Sequence, residues 1–149
     1  MHRAIRLLLG WFAVYFTGTG IWQQGFPRSF YDDFPGFGMH WVDIDGPYNE
    51  HLLRDVGQFN VALGVLALTA LLIGGVWLAR VTGMAALVAA LPHQIYHCAH
   101  MDVLPDLTEQ LLQTAALSVV SVTAVALTVL AFRIPVPQHE VAPAYASRS

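Results

Sequence analysis

Long uncharged apolar stretches alternate with short polar connections along this chain. Residues 7–27, 61–79, 81–101 and 110–132 contain no Asp, Glu, Lys or Arg. Each is close to the roughly 20 residues that cross a bilayer at about 1.5 Å of helix rise per residue. With their flanking helical signals they predict four spans, over residues of about 5–25, 52–79, 81–101 and 108–132. The expected fold class is all-α, an integral membrane four-helix antiparallel bundle forming one domain over residues 1–133. Residues 134–149, rich in Pro, Ala and Ser, read as a disordered cytoplasmic tail in which His139 is incidental.

Composition strengthens this picture. Of 149 residues, 56% are hydrophobic and 11% charged, against about 25% charged in a soluble domain. Lipid is therefore the expected solvent, and a soluble enzyme is disfavoured. Cys98 is the one cysteine and permits no internal disulfide. A net charge of -3 without any basic run argues against a nucleic-acid partner.

Charge placement gives a direction. Arg3 and Arg6 precede the first span, Arg80 reads as part of the tight turn between spans two and three, and Arg133 follows span four. The other two connections carry Asp32, Asp33, Asp43, Asp45, Glu50, Asp102, Asp106 and Glu109 against Arg28 and Arg54. The positive-inside rule then puts both termini in the cytoplasm of a multi-pass protein of the bacterial plasma membrane. A secretory signal over the first 20 or so residues is the competing reading, but no A-x-A site is present and the apolar stretch continues through Ile21 and Trp22.

The first connection, residues 23–49, is rich in Gly, Pro and aromatic residues, including Phe26, Phe30, Tyr31, Phe34, Phe37, Trp41 and Tyr48. Such rings favour the headgroup layer. Pro27 can open a short helix, and Pro35-Gly36 with Gly38 signals a turn. The expectation is a structured extracytoplasmic loop lying over the bundle as a lid. His40, next to Trp41, reads as interfacial rather than as a ligand.

Two polar stripes stand out. In span three, Pro92 is followed by His93, His97 and His100, and the i, i+4, i+7 spacing places all three within about 60° of arc on one helix face. In span two, His51, Asp55 and Gln58 repeat that spacing. Counting inward from the outer side pairs His51 with His100, Asp55 with His97 and Gln58 with His93, at depths matched within roughly 2 Å. Span four adds Glu109 and Gln113 at the same end. Arg54 lies off the stripe and is placed to pair with Glu50 or Asp55.

Polar groups at membrane depth need partners, water or a ligand. Imidazoles at i, i+4 can share one ion. His93, His97, His100, His51 and Asp55 are therefore the candidate metal ligands, and His51, Asp55, Gln58 and Glu109 the candidate cofactor-binding residues. A thiolate-free site suits zinc, copper or iron. Noncovalent haem, held by axial histidines on facing helices such as His51 opposite His97 or His100, is the other use of these atoms. The structural alternative is that the stripes hold helices together or sit in the wet interface. No serine-hydrolase, glycosidase or phosphoryl-transfer constellation is present, and H-x-x-x-H-x-x-H occurs once, whereas membrane desaturases need several such boxes.

The segment Phe30-Tyr31-Asp32-Asp33-Phe34-Pro35-Gly36-Phe37-Gly38, then Gly46-Pro47-Tyr48-Asn49-Glu50-His51 through Gly57, with Pro92-His93 and His97, resembles a group of small bacterial four-helix membrane proteins. The overall plan, across residues 1–133, is similar to DoxX-like proteins. That resemblance implies the four-helix fold and a link to quinone or thiol redox systems, but assigns no catalytic residue here. Three functions stay open: a metal- or haem-binding protein, as a redox accessory or small oxidoreductase; a noncatalytic subunit or assembly partner of a membrane complex, or a homo-oligomer; and a proton-linked or lipid-ligand binding protein.

Overall fold

The structure is a computed structural model that describes residues 2–136. The expected tail from residue 137 onward, with His139, lies outside the described residues. In chain order the elements are α1 (Arg3–Gly25), α2 (Pro27–Asp33), β1 (Pro35–Gly36), β2 (Met39–His40), a 3-10 turn (Asp43–Asp45), α3 (Glu50–Ile73), α4 (Val76–Ala99), a second 3-10 turn (Met101–Val103) and α5 (Leu107–Arg133). Helices α1, α3, α4 and α5, of 23, 24, 24 and 27 residues, are long and apolar enough to cross a membrane.

Local signals set the helix ends. Asn49 caps α3 by accepting a hydrogen bond from the Leu52 amide, and Asp106 caps α5 by accepting one from the Glu109 amide. Each side-chain oxygen satisfies an amide that the first helical turn leaves without a partner. Between α3 and α4 the chain reverses through Gly74 and Gly75, at φ values of 82° and 95°, a conformation in which a side chain would be strained.

This placement corrects the expected boundary at residues 79–81. The helix of span two stops at Ile73, and Arg80 stands inside α4. The reversal follows backbone freedom, and the charge is accommodated within a helix. Arg80 donates from Nε to the Ala131 carbonyl and from Nη2 to the Ile134 carbonyl, at 3.3 and 2.8 Å, satisfying the end of α5. Its guanidinium lies 5.1 Å from the Trp77 ring centre and 4.8 Å from that of Phe132.

The helices associate as two close pairs, α1 with α3 and α4 with α5. Along the first seam, Gly20 meets Gly57 and Val61, Thr17 meets Gly64, and Gly10 meets Leu71, so contacts descend one helix as they climb the other. A Cβ on Gly20 would stand 2.7 Å from the Gly57 carbonyl oxygen, and one on Gly57 2.7 Å from the Gln24 amide. In the second seam Gly83 lies against Thr128. Small residues that let backbones approach are the usual means of joining helices in lipid, where apolar burial gives little drive.

The core interlocks large with small. Ile5, Leu9, Phe12 and Phe16 of α1 form one buried face, packed among Ala67 and Ala70 of α3, Ala79, Ala86 and Ala90 of α4, and Ala124, Leu127 and Ala131 of α5. This core occupies the half of the bundle nearest the termini. The opposite half carries the aromatic loop, and is called the loop end below.

The seam generates a test. Gly57→Ala is expected to destabilise the protein by about 1–3 kcal/mol, because the added methyl meets backbone rather than a movable side chain. Gly18 is exposed and has nothing within 4 Å of its Cβ direction. Gly18→Ala is expected to leave stability unchanged or raise it by up to about 1 kcal/mol. Thermal unfolding in detergent distinguishes the two, and equal effects would remove the seam as a determinant.

Candidate functional site

The loop end is built on a helix that turns aside. α1 ends at Gly25, and Pro27 opens α2 in the first helical turn, where its missing amide costs nothing. Trp22, Phe30, Phe34 and Trp41 then form one chain of ring contacts, with centroids 4.6 to 6.3 Å apart. β1 and β2 pair antiparallel, Pro35 opposite His40 and Gly36 opposite Met39. Phe37 at the tip has a φ of 62° and is almost fully exposed. His40 donates from Nδ1 to the Asp32 carbonyl, so it serves the loop rather than the histidine stripe.

Trp41 ties the loop to the bundle. It is 7% exposed, and its Nε1 donates to Glu109 Oε2 of α5 at 3.2 Å. One turn further along α5, buried Gln113 stands beside His97. Glu109 thus meets the aromatic loop and Gln113 the α4 histidines, at the same end of α5.

The α4 histidines lie on one side of their helix. The rings of His93 and His97 meet edge to face with centroids 4.6 Å apart. The carboxylate of Asp45, from the first 3-10 turn, acts electrostatically on both rings. His100 stacks on Tyr96 at 4.3 Å, and its Nδ1 stands 2.8 Å from the Tyr96 carbonyl. A carbonyl only accepts, so Nδ1 carries the proton and Nε2 is left as the basic nitrogen.

The α3 stripe is bound to itself. His51 Nδ1 lies 3.0 Å from Asp55 Oδ2, and Gln58 Nε2 donates to Asp55 Oδ1 at 2.8 Å. Arg54 pairs with Glu50 at 2.8 Å and donates to the Gln24 carbonyl. Among the described residues no hydrogen bond, ion pair or ring contact joins His51, Asp55 or Gln58 to His93, His97 or His100. The expected pairs His51 with His100, Asp55 with His97 and Gln58 with His93 therefore make no direct contact. Rotation of each helix is set by its small-residue seam, α3 toward α1 and α4 toward α5, and the seams turn the stripes to different neighbours.

These positions bear on metal and haem chemistry. Among the described residues no group of three or more His, Cys, Asp or Glu side chains comes together as a metal site. His93 and His97 remain a two-imidazole pair. Axial ligation of haem would use imidazoles on facing helices; His51 meets Asp55 through Nδ1, a contact that leaves its Nε2 available, and His97 and His100 stand on α4.

A feature that sequence patterning did not single out is a groove between the two helix pairs. It has a volume of about 650 Å³ and is open along its side, and Phe59, Ala62 and Leu66 of α3 face Met84, Val88 and Ala89 of α4 across it. Its lining is apolar throughout. Asp55 stands one helical turn beyond Phe59 on the groove face of α3, and Tyr96 two turns beyond Ala89 on α4. The signal was present as alanines at positions 62, 85 and 89, but small residues are equally the mark of a close seam. Only the helix rotations tell an open face from a closed one.

No protein-family model matches the chain, and no curated protein or solved structure matches it.

Proposed function

We propose that the chain is a noncatalytic, multi-pass protein of the bacterial plasma membrane that binds a lipid or lipid-like amphiphile in the groove between its two helix pairs. The observation that carries this reading is the groove itself, a wholly apolar trough of about 650 Å³ that opens to the side between α3 and α4. Ligand sites are concave and mostly apolar with a few placed polar groups. The polar stripes support it from the other direction. With Asp55 held by His51 and Gln58, much of the hydrogen-bonding demand of the α3 stripe is met inside the fold. The DoxX-like plan of the sequence agrees with the four helices and supplies no catalytic group.

In the same proposal the four helices form an antiparallel bundle with both termini cytoplasmic. Arg3, Arg6, Arg80 and Arg133 lie at one end, and the acidic loop lies at the other. After Cys98→Ser, single cysteines at positions 43 and 102 are expected to react with an impermeant maleimide from the outside of intact cells. Labelling of either only after lysis would overturn this topology.

The groove is tested by filling it. Ala85→Leu combined with Ala89→Leu is expected to remove the lipid that wild-type protein retains in native mass spectra, with little change in thermal stability. Equal retention by wild type and the filled variant would reject the reading.

A second reading rests on His93 and His97, whose edge-to-face rings are placed to share one transition-metal ion, zinc, copper or iron. Its remaining positions would fall to water or to an incoming donor, in keeping with a redox accessory. Protein purified without chelator is then expected to carry about one metal ion per chain, lost in His97→Ala. Metal-free wild-type protein from cells supplied with all three metals would exclude it.

A further inference from the structure

We infer that the amphiphile held in the groove carries a primary ammonium at its polar end, bound by Asp55, and that lipids with a purely anionic head are discriminated against. This rests on the groove reading above and adds the chemistry of its mouth. The groove supplies no polar partner along its length, so selectivity for the head falls to the residues that follow it on α3 and α4. Counted from the shared turn at Gly74 and Gly75, Asp55 and Tyr96 both stand about 20 residues away, roughly 30 Å along their helices, and so reach the same level.

Asp55 is suited to a cation. Its carboxylate is oriented by His51 and Gln58 from its own helix, and its side chain is still 40% exposed. A carboxylate offers about four acceptor positions, so two remain for an incoming ammonium. At the matching level of α4, Tyr96 is 49% exposed; one face lies on His100, and the rest is aromatic surface of the kind that attracts cations.

The same end offers little to an anion. The sequence contains no lysine, and among the described residues only Arg28 and Arg54 of the arginines lie here. Arg28 is paired with Asp32 at 2.7 Å and lies over the rings of Tyr31 and Tyr48. Arg54 is taken by Glu50 and the Gln24 carbonyl. Among the described residues, a phosphate at the mouth would face Asp55 with no arginine left unpaired. A lipid of the phosphatidylethanolamine type meets the constraint, with its ammonium on Asp55 and its phosphate turned to water.

Spin-labelled lipids with identical chains and ethanolamine, choline or glycerol heads test this on the full protein in nanodiscs. The ethanolamine lipid is expected to be immobilised about fivefold more than the glycerol lipid, the size expected of a half-exposed ion pair. It should also exceed the choline lipid, which carries charge but no N–H. Asp55→Asn is expected to abolish the order, while Asp102→Asn, an exposed acid of the same end, should keep it. Glycerol or choline heads held as well as ethanolamine, an unchanged order in Asp55→Asn, or equal loss in both variants would each overturn the inference. Those results leave the groove reading intact so long as Ala85→Leu with Ala89→Leu still releases every labelled lipid. If that variant releases none, the groove reading fails as well.

Discussion

The close approach of backbones at small residues governs this protein. In lipid, apolar side chains gain little by leaving one hydrocarbon surface for another, so helices join where dispersion contacts are densest. Gly20, Gly57 and Gly64 bring α1 and α3 to backbone contact, and Gly83 does the same for α4 with Thr128 of α5. Once those seams are set, the rotation of every helix follows. The side of α3 away from α1 and the side of α4 away from α5 are left facing one another without a seam, and the groove is what remains between them.

The loop end solves a separate problem. Residues 26–49 connect α1 to α3 within one pair, yet Trp41 reaches across to Glu109 on α5 of the other pair. Its ring is buried with Phe30 and its indole nitrogen is satisfied, as an aromatic residue with one polar atom requires. The loop thus joins the two pairs at the end opposite Gly74 and Gly75. One bridge is covalent and the other a side-chain hydrogen bond.

Much of this was legible along the chain, for reasons that differ by element. Four spans follow from uncharged stretches because the cost of a charge in hydrocarbon is large and local. Pro27 opening α2 and the turn at Pro35 to Gly38 follow from backbone chemistry that depends on a few adjacent residues. The histidine stripe on α4 and the His51-Asp55-Gln58 stripe on α3 were readable for the same reason, since periodicity fixes which residues share a face. What those faces meet was not readable. Rotation about a helix axis depends on contacts such as Gly20 with Gly57, and Trp41 finds Glu109 at a separation of 68 residues. The reversal falls at Gly74 and Gly75 rather than at Arg80 because backbone freedom, and not charge, permits it.

Arg80 gives the α4–α5 pair a fixed height. Its guanidinium is held by the last carbonyls of α5 and flanked by Trp77 and Phe132, an arrangement that combines a cation and aromatic rings of the sort that prefer the headgroup region. Sliding this pair inward would draw the charge into hydrocarbon, and sliding it outward would lift both rings into water. At this end the α1–α3 pair has its arginines at positions 3 and 6, at the start of α1, where long side chains can follow the surface. In a bilayer of changing thickness the α4–α5 pair therefore acts as the datum, and the α1–α3 pair is the one that tilts or shifts to match.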